Sequence, residues 1–282
     1  MQYDVSYCAI YVKSFFLGKS MSEINSAERN RLFIGSLAKG FEVLRAFVGG
    51  GRYLSLAEIC TRSGLDKSTV QRMTHTLSEL GYLEKCPDTR RYSMGRAFLD
   101  FSFQYIRTEP LVELATTHLI ELRRACEERV DLSLFDEATL VYVVRLQSKR
   151  ENFYTALVGR RMPVFCTAGG RAMLACLSDE RAREIVENNP RPALNASTIT
   201  DVPAIMARIK TARRDGYAVA VGEAIAGEIV VAAPLVAPDG FPLGAVHVAG
   251  SAREWESDVF VSTMLPKLLE TVELINHAVR ER

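Results

Sequence analysis

The stretch from Ser55 to Gly81 leaves little freedom in what this chain can fold into. Ser55-Leu56-Ala57-Glu58 is a capping box: the serine side chain and the glutamate three residues on satisfy each other's orphan backbone donors at a helix start. The helix it opens turns Leu56, Ile59 and Cys60 inward and halts at Ser63-Gly64, where glycine supplies the backbone of a tight turn. Leu65 points inward, and Asp66 caps a second helix over about Lys67–Leu80, with Val70, Met73, Leu77 and Leu80 on its inner face. Lys67, Ser68, Gln71, Arg72 and His75 are left outside. Two short helices joined by a glycine turn make a helix-turn-helix. The outward groups of the second helix are polar or basic near its start, the part that enters a major groove. Gln71 and Arg72 there suit adenine and guanine edges, and Lys67 and Ser68 suit phosphates or bases.

The flanks fit the same plan. Leu37, Phe41, Leu44 and Val48 recur on one helical face, with Ser36 as N-cap and Gly49-Gly50-Gly51 as terminator. After Gly81 comes Tyr82–Cys86, a Pro87-Asp88-Thr89 turn and Arg90–Met94. This is a β-hairpin with Arg90 and Arg91 at its tip, a wing for phosphates or the minor groove. Residues 31–95 hold ten Lys/Arg against six Asp/Glu, whereas the whole chain is only +1. A basic front half joined to a mildly acidic rear half is the balance of one nucleic-acid-binding domain on a non-binding partner.

At 282 residues two domains are expected, with enough chain for a core in each. The six cysteines include no CxxC pair, and no His pair stands at zinc-ligand spacing, so the reading calls for no metal and no cofactor. No run of about 18 apolar residues occurs. Tyr7–Leu17 is apolar but lacks the basic flank and cleavage site of a signal peptide; the expected location is the cytoplasm. Residues 1–30 read as a disordered arm, with Met21 an alternative start. The expected limits are 31–95 for the winged helix-turn-helix, 96–108 for a linker helix and 109–282 for the rear domain. Met94, Phe98, Phe101 and Tyr105 stripe the linker, as a buried face or as a dimerisation seam.

In the rear domain, Val130–Asp136 and Thr139–Leu146 read as a hairpin and Phe153–Val158 as a further strand. Asp201–Asp215 is a helix, Val230–Val236 and Leu243–Ala249 flank a Pro238-Asp239-Gly240 turn, and Asp258–Val279 is a long closing helix. The order implies an α+β domain, an antiparallel sheet with helices packed on it. Thr167-Ala168-Gly169-Gly170 begins another helix, whose free amides favour a carboxylate and whose glycines admit a ligand closely. Alternation places Leu243, Ala245, His247 and Ala249 on one strand face. His247 is then either a satisfied core histidine or a polar contact for a ligand.

Three front segments, Ser36–Leu44, Leu54–Glu84 and Arg91–Gly95, resemble the winged helix-turn-helix of IclR-type transcriptional regulators. "RRMPVFCTAGGRAMLACL" (160–177), "TITDVPAIMARIKTARRDGYAV" (198–219) and "EIVVAAPLVAPDGFPLGAVHVAGSA" (228–252) are similar to blocks of that family's effector domain. The resemblance runs from about residue 31 to the C-terminus. It implies a GAF-like effector domain behind the winged helix, and a homodimer or tetramer that binds paired operator half-sites and responds to a metabolite. Relatives that sense protocatechuate or hydroxybenzoate are examples.

The resemblance also implies effector contacts at Ala168 and Gly169, apolar walls at Phe153 and Met162, and pocket-strand positions at Val230, His247 and Ala249. Relatives that bind small acids carry serine where His247 and Ala249 stand and an acidic residue where Ala220 stands. These departures point away from glyoxylate or pyruvate to a larger organic acid, aromatic acids included. Its carboxylate would lie near Ala168 and Gly169 and its far end near His247. No nucleophile elbow, zinc-protease motif, phosphate loop or triad order occurs, so no catalytic residue is assigned. The alternatives are a GAF-like signalling module without DNA binding, or an enzyme using Cys166 as an activated thiol. Repressor and activator cannot be told apart from these residues.

Overall fold

A computed structural model describes residues 32–148 and 158–282. The chain divides into two compact units, one ending at Tyr105 and the other Ile106–Arg282. The expected arm at 1–30, the Met21 start, Cys8, and all of the Phe153–Val158 strand except Val158 lie outside the described residues; Val158 itself sits in a turn.

In the first unit α1 (Gly35–Arg45), α2 (Leu56–Ser63) and α3 (Lys67–Glu79) precede a two-stranded hairpin, β1 (Leu83–Lys85) with β2 (Tyr92–Met94). Their core is Val43, Ala46, Phe47, Leu54, Ile59, Val70, Leu83 and Tyr92. The capping box forms as read: Ser55 N donates to Glu58 Oε2 at 2.7 Å and Glu58 N to Ser55 Oγ at 3.3 Å. Gly64 takes φ +70°, and Asp66 accepts from Thr69 N. Two expectations fail here. Ser36 is inside α1 and Ile34 is the N-cap position. Val43 within α1 and Ala46 and Phe47 just past its end turn inward, a rotation that leaves Leu37 and Phe41 more than half exposed, and Leu80, one residue past α3, is also exposed. Periodicity marks an apolar stripe but not which edge of it meets the core when the stripe is wide.

Next comes α4 (Ala97–Thr108), which buries none of its residues; Leu99, Phe101, Phe103 and Tyr105 are all exposed. The second unit starts with α5 (Pro110–Cys126), for which the sequence reading made no assignment. Its Leu111, Val112, Ala115, Leu119 and Leu122 form a buried stripe behind an N-terminal proline. The sheet follows: β3 (Arg129–Asp136), β4 (Thr139–Leu146), β5 (Arg161–Pro163), β6 (Ala218–Val221), β7 (Glu228–Val236) and β8 (Pro242–Ser251). The strands lie antiparallel in the order β5-β4-β3-β8-β7-β6. Between β5 and β6 stand α6 (Ala168–Leu174), α7 (Asp179–Asn188) and α8 (Val202–Asp215), and α9 (Ser257–Arg280) closes the chain.

Alternation divides the sheet into two faces. Val130, Leu132, Val231, Ala233, Val246 and Val248 pack with α5 and α9 in the larger core. Arg129, Asp131, Ser133, His247 and Ala249 point the other way, toward the side covered by α6. Leu243, expected beside His247, instead packs with the α5/α9 core, next to the register shift at Leu235/Val236 on the facing strand. One inequality of residue spacing thus overrides simple alternation at the strand start.

Candidate functional sites: a basic helix face and a buried polar cavity

On α3 the five singled-out groups, Lys67, Ser68, Gln71, Arg72 and His75, are all exposed, while Val70 and Thr74 face inward. Hydrogen bonds from Thr69 and Ser68 hold the Asp66 carboxyl well below its ordinary value, so the helix start carries a firm anionic cap. The wing is shorter than read: the second strand begins at Tyr92, and Arg90 and Arg91 both sit in the turn. Arg90 is exposed there with φ +55°. Arg91 turns back onto its own domain, donating to Tyr53 O at 3.2 Å and pairing with Glu58 at 3.2 Å.

In the rear unit α6 lies against the sheet with every residue buried. Thr167 caps it, its Oγ1 donating to Pro163 O and accepting from Gly170 N. Between this helix and the sheet is a cavity lined by Met162, Ala168, Val230 and His247 among the expected residues. Tyr142, Arg160, Glu223 and Glu228 also line it and were not anticipated as site residues. Phe153 is outside the described residues. Gly169 and Ala249 are buried but do not reach the cavity wall. The reason at Gly169 is specific: a Cβ there would stand 2.1 Å from His247 Cε1, so the imidazole already fills the room the missing side chain leaves. At Gly170 a Cβ would meet the Val164 backbone at 2.3 Å. At both glycines the room left by the missing side chain is already taken by a neighbouring group. The enclosed free space is about 20 Å³, room for roughly one water. An acid of any size therefore enters only if the wall yields.

The polar side chains around this cavity are largely paired. Arg171, fully buried, makes a fork to Glu223 at 2.6 and 2.7 Å and donates Nε to Phe165 O. Glu223 is itself fixed, its carbonyl accepting from Asn195 and Thr198. Arg129 donates to Asp131 Oδ2 at 2.9 Å and forks onto Glu228. Burial pushes the Asp131 carboxyl above its ordinary value despite Arg129, and among the described residues its Oδ1 has no partner. His247 Nε2 lies 2.8 Å from Ser133 Oγ, its ring tilts against Tyr142, and among the described residues its Nδ1 has no partner. His247 is thus a core histidine with one nitrogen satisfied and one not, among the described residues. Burial, helped by the charge of Arg129, pushes its pKa down to about 3, so the ring is neutral at pH 7. Burial also pushes the Cys166 thiol up to about 12, the opposite of an activated nucleophile.

The depressed histidine has a signed consequence. Between about pH 6.5 and about 3 the unfolded chain binds a proton that folded His247 refuses. Stability therefore rises with pH through that window and is lost as pH falls, by at most about 1.4 kcal/mol per pH unit. Urea melts of wild type and His247→Gln at several pH values should show a shallower slope in the variant over that window. Equal slopes would mean that the ring titrates normally.

Among the described residues no helix is long and apolar enough to cross a membrane. Residues 36–87 match the IclR helix-turn-helix domain, and residues 103–277 match the bacterial transcriptional regulator IclR C-terminal domain. The Pca regulon regulatory protein of Pseudomonas putida is 29% identical over 84% of this chain and 81% of its own. The p-hydroxybenzoate hydroxylase transcriptional activator of Acinetobacter baylyi is 25% identical over 89% and 94%. Among solved structures, a transcriptional regulator from Rhodococcus superimposes with TM-score 0.75 at 28% identity, covering 88% of this chain and 98% of that one. An IclR homologue from Microbacterium hydrocarbonoxydans, in complex with 4-hydroxybenzoate, shares the fold with TM-score 0.72 at 22% identity over 88% and 100%. These relatives are named as regulators, not enzymes. With a helix-turn-helix in front and an α+β effector domain behind, the chain belongs to the IclR family of DNA-binding transcriptional regulators.

Proposed function

We propose that operator occupancy by this regulator is set by a small organic acid, aromatic acids included, bound between α6 and the sheet. The observation that carries this reading is the cavity at His247: it is mixed in polarity, and among the described residues it leaves the buried Arg160 Nε and His247 Nδ1 unmet. We read the seat of the carboxylate as lying away from the α6 start that the resemblance implies. The α6 helix is only seven residues long, its Gly170 amide is taken by Thr167, and His247 covers Gly169. The Pseudomonas and Acinetobacter relatives, named for the Pca regulon and for p-hydroxybenzoate hydroxylase, support an aromatic acid as the first class to try.

On the DNA side Lys67, Ser68, Gln71, Arg72 and His75 form the reading face, and Arg90 supports it from the wing. Arg72→Ala should cost about 1–3 kcal/mol on the cognate site and relax one base position. Arg90→Ala should weaken all sequences alike and flatten the salt dependence, while Arg91→Ala should do so less because its guanidinium is held by Glu58 and Tyr53. Mobility shifts across a salt series check this; wild-type affinity in both Arg72→Ala and Arg90→Ala would remove α3 and the wing from the interface. Exposed Leu37, Phe41, Leu99, Phe101 and Phe103 support self-association, and binding as at least a dimer to paired half-sites follows. Operator shifts with and without 4-hydroxybenzoate and related acids test the whole reading. An occupancy that no acid changes would overturn the effector assignment and leave DNA binding intact.

A further inference from the structure

The outward stripe of α3 begins with a hydroxyl whose proton is already spent. Exposed Ser68, Gln71, Arg72 and His75 stand at spacings of three and four, so they line one side of the helix. Ser68 Oγ donates to Asp66 Oδ1 at 2.7 Å, and the same oxygen accepts from Thr69 N at 2.9 Å. The other carboxylate oxygen accepts from Thr69 Oγ1 at 2.6 Å. These bonds, those of Thr69 first, hold the Asp66 carboxyl well below its ordinary value, so it stays ionised and can only accept. The direction of the bond is thereby fixed: Ser68 is the donor. A serine hydroxyl has one proton and two lone pairs. With the proton on Asp66, Ser68 has only lone pairs left for anything that approaches from solvent.

An acceptor-only serine excludes most of what DNA presents. A phosphate oxygen also only accepts, so it gains nothing from Ser68, and it meets the Asp66 charge at the same place. Phosphate contact at this end of α3 falls instead to exposed Lys67. Guanine N7 and O6 and thymine O4 are acceptors too, whereas adenine N6 and cytosine N4 are the major-groove donors. Turning the hydroxyl proton toward DNA would break a bond to an ionised acceptor, about twice as strong as a neutral one.

We propose that Ser68 selects a base with a major-groove amino group, adenine or cytosine, and that Asp66 is the positioning residue that enforces this by holding the hydroxyl proton. This rests on α3 being the reading helix and adds what one of its positions selects. Ser68 and Arg72 are about 6 Å apart along the helix axis, and successive bases rise about 3.4 Å. The selected base therefore lies within about two steps of the one that Arg72 reads.

The test selects sites from a random duplex library with the full-length protein, then measures mobility shifts on the selected site and its variants. One position of each half-site should favour the two pairs that put the amino-bearing base on a given strand, by about three- to tenfold, the worth of one neutral hydrogen bond. Replacing that base with its analogue lacking the amino group should cost wild type the same factor and cost Ser68→Ala nothing. Ser68→Thr, which keeps the hydroxyl, should keep the preference. Asp66→Gly should relax the position with Ser68 still present, because the freed hydroxyl donates as well as accepts. Glycine at an N-cap costs a helix little, and a circular-dichroism melt checks that the fold is kept. A Ser68→Ala variant that weakens every sequence alike would reveal a phosphate contact and overturn the proposal. So would an amino-group deletion that costs wild type and Ser68→Ala equally, or a preference that survives Asp66→Gly. If Gln71→Ala and Arg72→Ala also leave the selected sequence unchanged, α3 is not the reading helix and that reading falls with this one. If they change it while Ser68→Ala does not, only the role of Ser68 falls.

Discussion

Arg171→Met should destabilise the effector domain by about 3–5 kcal/mol, the largest single-residue effect expected in this protein. Arg171 stands in the middle of a helix with no exposed residue, and its guanidinium is matched by both oxygens of Glu223. Methionine fills similar volume, so the loss is electrostatic: Glu223 is left buried with its charge unmet. Native domains have roughly 5–15 kcal/mol in hand, so the change removes a fifth or more of the margin. The melting temperature should fall by about 6–20 °C for a domain of this size. The double variant Arg171→Met/Glu223→Leu should recover much of the loss, since replacing both ions with apolar groups leaves no charge stranded. Denaturant melts decide it. A single variant within 1 kcal/mol of wild type, or a double variant no better than the single, would mean that water reaches this pair.

Gly169→Ala should be the second severe change, and its cause is steric. The added methyl would lie 2.1 Å from Cε1 and 2.6 Å from Nε2 of His247. The ring is a poor candidate for yielding, being fully buried, bonded to Ser133 and packed on Tyr142. Overpacking of this kind costs about 1–3 kcal/mol, and a displaced ring would add the Ser133 hydrogen bond, about 1 kcal/mol. The acid response should disappear as well, because either α6 or His247 must leave its place. Gly169→Ala in a His247→Ala background should cost much less than in wild type, a coupling that denaturant melts of the four proteins measure. Gly170→Ala is the control: its clash is with the Val164 backbone, so removing His247 should give no relief. Equal costs for Gly169→Ala in both backgrounds would sink the account.

The two halves of the molecule differed in how much could be read without coordinates. In the front half each signal is local. The Ser55–Glu58 box, the Gly64 turn and the Asp66 cap are contacts between residues four or fewer apart, and the outward polar set of α3 follows from helical period alone. Errors there came from what the helix packs against: Leu37, Phe41 and Leu80 have the pattern of core residues and are exposed. The β3–β4 and β7–β8 hairpins and α9 were legible too, since turn residues and alternation mark them. The α5 helix carried a readable stripe after Pro110 and went unassigned. Short β5 and β6 carry too few residues for a period to show.

The cavity belongs to the other kind. Sequence alone determined that residues 31–95 could build a helix-turn-helix with a wing, and that His247 would share a face with Ala245 and Ala249. It could not show that Asp131, Arg145 and Arg160 approach that face, because they lie between 87 and 116 positions from His247 and meet it only through strand register. Nor could it show that Gly169 is glycine to seat an imidazole 78 positions away. Arg129, Arg171, Glu223 and Glu228 read as ordinary charged residues until the fold buries them, since burial and partnering are properties of where chains cross and not of spacing along one.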